Sequence, residues 1–257
     1  MVATPKEIEL RKFLATMIAA AATAAALSAP AVAAAAPSIQ YGSHHGGLAR
    51  AQVTHSRGFN INGYNWGGYA ATGSGFTSVT ATWTMPSATC NSTNDLYAPW
   101  VGLDGYGSSS VEQTGVQTDC SNGSPVDSMW YEMYPANPVY PSKTTYPVTA
   151  GNSMTATVTY SGSTFTLTMK NNTRGWTYTI NKSLRSARRL SAEVIIESPT
   201  AAYPNFGTVS FTNAKVNGTT LGSFNPVAMD PSNSHGYEAH TSALSGGTAF
   251  SIAYERE

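Results

Sequence analysis

The amino-acid sequence predicts an all-β fold, either a sandwich or a jelly roll. Runs of β-branched and aromatic residues alternate with Thr and Ser at a period of two, and clusters of Gly, Pro or Asn separate the runs. Because successive side chains of a strand point to opposite faces, this alternation gives each strand one apolar face to bury. Such strands at this spacing are typical of packed antiparallel sheets. The predicted strands are Thr77–Trp83, Ser128–Tyr134, Ser153–Tyr160, Thr164–Lys170, Trp176–Ile180, Ala192–Glu197, Thr208–Thr212 and Ala249–Tyr254.

One segment is a possible helix. Lys182–Arg189 is short and basic, and it is the one stretch with a possible helical pattern. The cluster of Arg185, Arg188 and Arg189 within it is most simply interpreted as a solvated loop. The sequence contains no internal repeat.

The first 36 residues are predicted to be a secretory signal peptide. Basic residues stand among the first twelve, an apolar run follows from Phe13 to Leu27, and Ala31-Val32-Ala33 forms a small-residue exit. This order is typical of an export signal, and the apolar run is too short to span a bilayer comfortably. We therefore expect a secreted, extracellular protein. Residues 37–60 are predicted to be a flexible leader or short propeptide, and residues 61–257 a single β-sandwich domain.

The charge balance argues against two classes of partner. The chain has 14 basic and 14 acidic residues, and charged residues make up 11% of it. A neutral chain offers no electrostatic footprint for nucleic acid or for an anionic membrane. The chain also has few carboxylates whose protonation could unfold it in acid, and this suits a protein that works in acidic surroundings outside the cell.

The two cysteines, Cys90 and Cys120, are predicted to form a disulfide. An exported chain folds in an oxidising compartment, where one pair of cysteines is usually bridged. In the chain-entropy model, closing this loop is worth about 3–4 kcal/mol. Two free buried thiols remain the alternative.

Three familiar sets of catalytic residues are absent from the sequence. It contains neither a Gly-x-Ser-x-Gly nucleophile elbow nor a His-Glu-x-x-His zinc motif. It also lacks the Asp-Thr-Gly or Asp-Ser-Gly of the usual aspartic-peptidase dyad. The histidines do not suggest a metal site, and we expect no metal.

The remaining catalytic candidates are carboxylates on strands. Period two places Glu193, Ile195 and Glu197 on one face of their strand. In the same way Trp130, Glu132 and Tyr134 share a face that is aromatic with one acid. A concave face of this kind binds a sugar or a peptide. On pattern alone, each Glu is more often an exposed strand residue than a catalyst.

A series of short motifs runs along the chain between residues 62 and 254. The motifs are Asn65-Trp66-Gly67-Gly68, Trp83-Thr84-Met85-Pro86, Trp100-Val101-Gly102-Leu103-Asp104-Gly105, Gln113-Thr114-Gly115-Val116, Trp130-Tyr131-Glu132-Met133-Tyr134-Pro135, Ala192-Glu193, Phe206-Gly207-Thr208-Val209-Ser210-Phe211-Thr212-Asn213-Ala214 and Met229-Asp230. In this order and spacing they resemble the glutamic peptidases, also called eqolisins or the G1 peptidase family. So many motifs in register are hard to obtain by chance.

This resemblance implies a fold, an activity and a set of site residues. The fold would be a sandwich of two antiparallel sheets, a concanavalin- or lectin-like jelly roll. The protein would be a pepstatin-resistant acid endopeptidase that acts on polypeptides without a cofactor, and we expect a monomer. Its catalytic pair would be Gln113 and Glu193. Its substrate-binding residues would be Trp66, Trp100, Asp104, Trp130, Glu132 and Tyr134.

The implied catalytic pair makes chemical sense. Glu193 has to be ionised to take a proton from water, and an unperturbed Glu, with a pKa of about 4.3, is ionised in mild acid. It can then return the proton to the leaving amine. The Gln113 amide does not ionise, so its N–H can donate to a developing oxyanion at any working pH.

Several positions depart from the family's pattern. Gln117 and Ser128 replace Asp residues, while Val194 and Met133 stand where the family often has Trp. The basic cluster at 185–189 precedes Glu193, where fungal relatives tend to be acidic. Fewer acids near the site predict a milder acid optimum.

Two other functional classes remain open. Glucanases of this shape place two glutamates on one strand with an Asp between them, whereas Ile195 stands between Glu193 and Glu197 here. A lectin-like binding module without turnover would leave Gln113 unexplained.

Overall fold

The computed structural model describes residues 58–256. The predicted signal peptide and nearly all of the predicted leader lie outside these residues. The elements are β1 (Ile61–Asn62), β2 (Trp66–Thr72), β3 (Ser78–Thr84), β4 (Leu96–Asp104), β5 (Val111–Asp119), β6 (Val126–Tyr134), β7 (Ser153–Ser161), β8 (Thr164–Asn171), β9 (Trp176–Lys182), β10 (Ser191–Glu197), β11 (Thr208–Val216), β12 (Thr219–Thr220), a 3-10 turn (Leu221–Phe224), β13 (Val227–Asp230), β14 (Ser232–Asn233), β15 (Gly236–Tyr237), β16 (Ala239–Thr241) and β17 (Phe250–Tyr254).

The strands form two large sheets. A seven-stranded sheet has the order β1-β13-β2-β10-β4-β5-β6, and every pairing in it is antiparallel except that of β1 with β13. An eight-stranded sheet has the order β16-β17-β11-β3-β7-β8-β9, with β12 beside β11. All eight strands predicted from alternation are present, and the prediction of an all-β antiparallel sandwich is confirmed.

The hydrophobic core lies between the two sheets. The eight-stranded sheet contributes Trp83, Phe165 and Phe211, and the seven-stranded sheet contributes Tyr97 and Val194 among others. Each fully buried side chain of this size stabilises the fold by about 1.5–3 kcal/mol relative to exposure. β7 alternates buried and half-exposed residues, whereas β4 and β10 are buried on both faces. The seven-stranded sheet therefore has a second buried face, opposite the core.

The predicted helix at Lys182–Arg189 is wrong. β9 extends through Lys182, and the residues after it form a loop that contains no helix. Backbone N–H groups of Arg188 and Arg189 donate to the Asp104 carboxylate at 2.8 and 2.6 Å, which replaces the backbone partners that a helix would supply. Arg185 and Arg188 are exposed, as predicted for a solvated loop.

The predicted disulfide is present. Cys90 and Cys120 are bonded, with their Cα atoms 5.8 Å apart. The bridge ties the loop after β3 to the end of β5, and the free-thiol alternative is excluded. Among residues 58–256, no helix is long and apolar enough to cross a membrane.

Candidate active site

The second buried face of the seven-stranded sheet carries the predicted site residues. We call it the aromatic face, because the apolar cluster on it contains three tryptophans. Both strand faces predicted from alternation are confirmed, since Ile195 and Trp130 belong to this cluster while their strand neighbours Val194 and Met129 belong to the core. The cluster consists of Trp66, Ala70, Ala98, Trp100, Val111, Trp130, Ile195 and Met229.

Strand register brings the two predicted catalytic residues to the same face. Glu193 on β10 pairs with Gly102 on β4, and Gly102 pairs with Gln113 on β5. Residues opposite one another on adjacent strands point to the same side of a sheet, so Glu193 and Gln113 flank Gly102. Two strand spacings separate their backbones by about 9.5 Å, a gap that two long side chains can span from opposite sides.

Gly102 lies between the two catalytic candidates, and its neighbours pack closely against it. A Cβ at this position would lie 2.9 Å from Cζ3 of Trp100 and 3.1 Å from Cβ of Gln113. Real Cβ contacts are rarely this short, so any larger residue here would displace its neighbours. Glycine is therefore the residue that fits between Glu193 and Gln113 without displacing Trp100.

The Gln113 side chain is held by the next strand of the sheet. Gln113 pairs with Glu132 on β6, and its Nε2 donates to Oε2 of Glu132 at 2.6 Å. Both residues are buried. The bond occupies one of the two amide hydrogens of Gln113 and fixes the plane of the amide, leaving the second hydrogen for another acceptor.

Glu193 is fully buried, and burial raises the pKa of its carboxyl well above the ordinary value. The nearby Ser191 hydroxyl and the Tyr106 backbone N–H, which donates to Oε1 at 3.2 Å, partly offset this, while the negative charges of Asp104 and Glu112 add to it. Our expectation of an unperturbed Glu193 is therefore wrong. A carboxylate surrounded by low-dielectric protein loses its hydration, which favours the protonated form.

Two further glutamates on the aromatic face are also shifted. Burial raises the pKa of Glu132 to about 8, and the Gln113 amide opposes the rise. Burial raises the pKa of Glu197 to about 7, opposed by Trp66, by Asn65 and by Trp100. Asn65 Nδ2 donates to Oε1 of Glu197 at 2.9 Å. The face is therefore lined with carboxyls that stay uncharged in acid.

The predicted tryptophans surround the central row of side chains. Trp100 lies two residues before Gly102 on β4 and therefore on the same face of the sheet. Its register partner on β5 is Gly115, which has no side chain and leaves space for the indole. Trp130 pairs with Gly115 from the other side. Trp66 contacts Trp100 edge to face, with ring centroids 5.1 Å apart and an interplanar angle of 78°. Stacked and perpendicular aromatic pairs of this kind form rigid apolar walls.

Tyr134 and Asp104 lie at the end of the same face, in register with Val111 from opposite sides. Tyr134 is half-buried, so its ring is partly accessible. Asp104 is fully buried, and its carboxylate accepts backbone N–H groups from the loop that leads into β10. The structure therefore gives Asp104 a contact with this loop that sequence reasoning missed.

Sequence reasoning also missed Gly102, Tyr106 and Asn65 as site residues. Gly102 stands inside a strand, where Gly usually marks a close approach of chain or ligand, and this signal was available. The partners Tyr106 and Asn65 come from loops outside the strands, and no local pattern indicated them. Among the described residues, no group of three or more His, Cys, Asp or Glu side chains could hold a metal ion.

Sequence comparison assigns the family. The model of the Peptidase A4 family matches residues 64–254. Aspergillopepsin-2 of Aspergillus niger is 29% identical over 197 residues, which cover 65% of this chain and 69% of that protein.

Comparison with solved structures supports the same family. The crystal structure of scytalido-glutamic peptidase with a transition-state analogue inhibitor has a TM-score of 0.65 and 26% identity, and the match covers 75% of this chain and 99% of that one. SCP-B, a member of the eqolisin family in complex with the tripeptide Ala-Ile-His, has a TM-score of 0.61 and 25% identity over the same shares of the two chains. The chain therefore belongs to the peptidase A4 family, the glutamic peptidases or eqolisins, and is a hydrolase that acts on peptide bonds.

Proposed function

We propose that this protein is a secreted acid endopeptidase in which Glu193 moves the proton and Gln113 stabilises the oxyanion. The observation that carries the proposal is the row Glu193–Gly102–Gln113–Glu132, which runs across four neighbouring strands on one face. It puts a carboxyl and an oriented amide on either side of a position without a side chain. General acid–base chemistry and an oxyanion donor need this arrangement.

The available atoms suggest the order of events. Within residues 58–256, neither Oε2 of Glu193 nor Oε1 of Gln113 accepts a hydrogen bond. A water molecule above Gly102 would donate to both oxygens, and Glu193 would take its proton as it attacks the peptide carbonyl. The second amide hydrogen of Gln113 would donate to the oxyanion. Glu193 would then pass the proton to the leaving nitrogen, so that both protons of the water are accounted for in the amine and acid products.

The raised pKa of Glu193 bears on the pH dependence of this reaction. General-base action requires the ionised carboxylate, whose fraction rises with pH up to the pKa of Glu193. That pKa lies well above 4.5. The acid limb of kcat/KM should therefore lie above the pH expected for an ordinary Glu, which again favours a mild acid optimum. Gln113 has no titration in this range, and the proposed chemistry uses no cofactor.

The rest of the proposal concerns substrate and location. The apolar walls of Trp66, Trp100 and Trp130 suit the side chains of an unfolded polypeptide, and Glu132 and Tyr134 add polar contacts. We expect a monomer with no nucleic-acid or membrane partner, exported by a signal peptide at residues 1–36. Sequencing the N-terminus of the mature protein from culture medium tests the export prediction, which fails if residue 1 is retained.

The residue between the two glutamates disfavours the glycosidase alternative. Glu193 and Glu197 lie on the same face of β10, as the glutamate pair of such glucanases does, but Ile195 stands where those enzymes have an Asp. The acid that would complete a glycosidase site is therefore missing.

Two substitutions test the catalytic assignment. Glu193→Gln and Gln113→Ala should each lower kcat on denatured casein by at least about 10²-fold at mildly acidic pH, with pepstatin present, because each removes a proton carrier or an oxyanion donor. Glu255→Gln is the matched control, since Glu255 is exposed and remote from the row. Circular dichroism has to show an unchanged fold. Folded Glu193→Gln protein with a tenth or more of the parent's kcat would contradict the assignment.

A further inference from the structure

Glu112 is a buried carboxyl for which the proposed reaction has no use. It directly precedes Gln113 on β5, so it points to the opposite face of the sheet, into the space between the two sheets. Its register partners are Leu103 and Met133, both members of the core. It is 0% exposed, and within residues 58–256 neither carboxyl oxygen makes a hydrogen bond of good geometry, although the Ser110 hydroxyl and the Asp104 carboxyl lie close to it. Such an orphaned polar group in a core needs a physical explanation.

The surroundings of Glu112 do not support a charge. Burial raises the pKa of its carboxyl to about 9, the negative charge of Asp104 adds to this, and the Ser110 hydroxyl and Arg189 only partly oppose it. Arg189 lies over the Tyr160 ring at 4.1 Å and makes no ion pair with Glu112 in the described part of the chain. A negative charge on Glu112 would also raise the pKa of Glu193 by repulsion. In acid, therefore, Glu112 packs as an uncharged side chain.

Glu112 lies where three strands of the proposed site converge. Asp104 ends β4, and its carboxylate accepts three backbone N–H groups from residues 188–190, which lead directly into β10 and Glu193. Glu112 itself belongs to β5, one residue from Gln113. A negative charge on Glu112 would repel the charges of Asp104 and Glu193 together, next to the loop that leads into β10.

We infer that Glu112 is a positioning residue whose uncharged form keeps Gln113 and Glu193 in their working arrangement, and whose ionisation sets the upper pH limit of that arrangement. The part of this inference that concerns activity rests on the proposed function, whereas the part that concerns stability does not. Among residues 58–256, the charged or titratable groups that interact electrostatically with Glu112 are Asp104 and Arg189, close to it, and Glu193 on the other face of the sheet.

The sign of the stability effect follows from proton binding. The folded state holds the Glu112 proton up to about pH 9, and the unfolded chain releases it near 4.5. Between these values the folded state binds more protons, so stability falls as pH rises. Below pH 4.5 the group is protonated in both states, and its contribution is complete. Replacing Glu112 by an uncharged residue should remove this loss.

The experiment compares Glu112→Gln and Glu112→Leu with the parent and with the exposed control Glu255→Gln. Urea unfolding at pH 4.5 and at pH 8 should show that the folding constant of each Glu112 variant, relative to the parent, rises by about three orders of magnitude between the two pH values. The alkaline limb of kcat on a quenched fluorescent peptide should move up by about one pH unit or more. Glu255→Gln should change neither quantity.

The outcomes separate this inference from the proposed function. The inference is overturned if both Glu112 variants show the same pH dependence of stability as the parent. It is also overturned if both variants are unfolded even at pH 4.5, because the site has to accept an uncharged side chain of similar size. If stability responds as expected but the alkaline limb of kcat does not move, the positioning role is overturned. Absence of peptidase activity in the parent, with the stability response intact, would reject the proposed function and leave the stability role of Glu112 established.

Discussion

Replacing Gly102 by alanine tests whether the space between Glu193 and Gln113 is where the reaction takes place. The new methyl group would lie 2.9 Å from Cζ3 of Trp100, 3.1 Å from Cβ of Gln113 and 3.3 Å from Cγ1 of Val111. Relieving these contacts requires shifts of several tenths of an ångström. Overpacking of this kind costs about 1–3 kcal/mol of stability.

The effect of Gly102→Ala on activity should exceed its effect on stability. The methyl group occupies the position above which we place the attacking water, and it presses on the strand segment that carries Gln113. Misplacing a catalytic group by about 1 Å can lower the rate by about 10²-fold. We therefore expect kcat on a quenched fluorescent peptide to fall by about 10²-fold or more. KM should rise as well, because the displaced Trp100 is one of the tryptophans proposed to bind the substrate.

Gly222→Ala is the matched control for this substitution. A Cβ at Gly222 would lie 2.9 Å from Cα of Gly247, a contact as short as the one at Gly102. Gly222 lies in the 3-10 turn, which contacts β11, β12 and β2, and it is not part of the row of site residues. It should lower stability in urea to a similar degree and leave kcat unchanged. Equal losses of kcat in the two variants, or a Gly102→Ala enzyme with more than a tenth of the parent's kcat, would refute the placement of the reaction over Gly102.

Two further predictions concern stability. The folded pKa values of Glu132 (about 8) and Glu197 (about 7) lie above the ordinary 4.5, so the folded state binds extra protons, and stability should be highest near or below pH 4.5. Raising the pH from 4.5 to 7 should lower the free energy of unfolding by up to about 3 kcal/mol for each of the two glutamates. A midpoint of urea unfolding that rises over this pH range would contradict the reasoning. Replacing both Cys90 and Cys120 by serine should lower the free energy of unfolding, measured in urea at pH 4.5, by about 3–4 kcal/mol. An unchanged free energy of unfolding would show that the disulfide does not restrain the unfolded chain.

Most strands predicted from alternation have one accessible face, although β10 was predicted and is buried on both faces. β3, β7 and β8 alternate buried with half-exposed or exposed residues, and the sequence shows the same period. β4 and β5 are buried on both faces, so apolar, small and polar residues follow one another without alternation, and they were not among the strands predicted from the pattern. The helix predicted at Lys182–Arg189 failed because Asp104, distant in the chain, supplies partners for the loop's backbone.

The sequence by itself determined the fold class, the faces of the strands that carry Glu193 and Glu132, and the family to which the chain belongs. These properties depend on local side-chain periodicity and on short motifs, which can be read residue by residue. Only the tertiary structure decided the strand order β10-β4-β5, which places Glu193 and Gln113 on either side of Gly102. It also decided the burial that raises the pKa of Glu193 and isolates Glu112. Strand order and burial arise from hydrogen bonds and packing between distant segments, and no local stretch of sequence contains them.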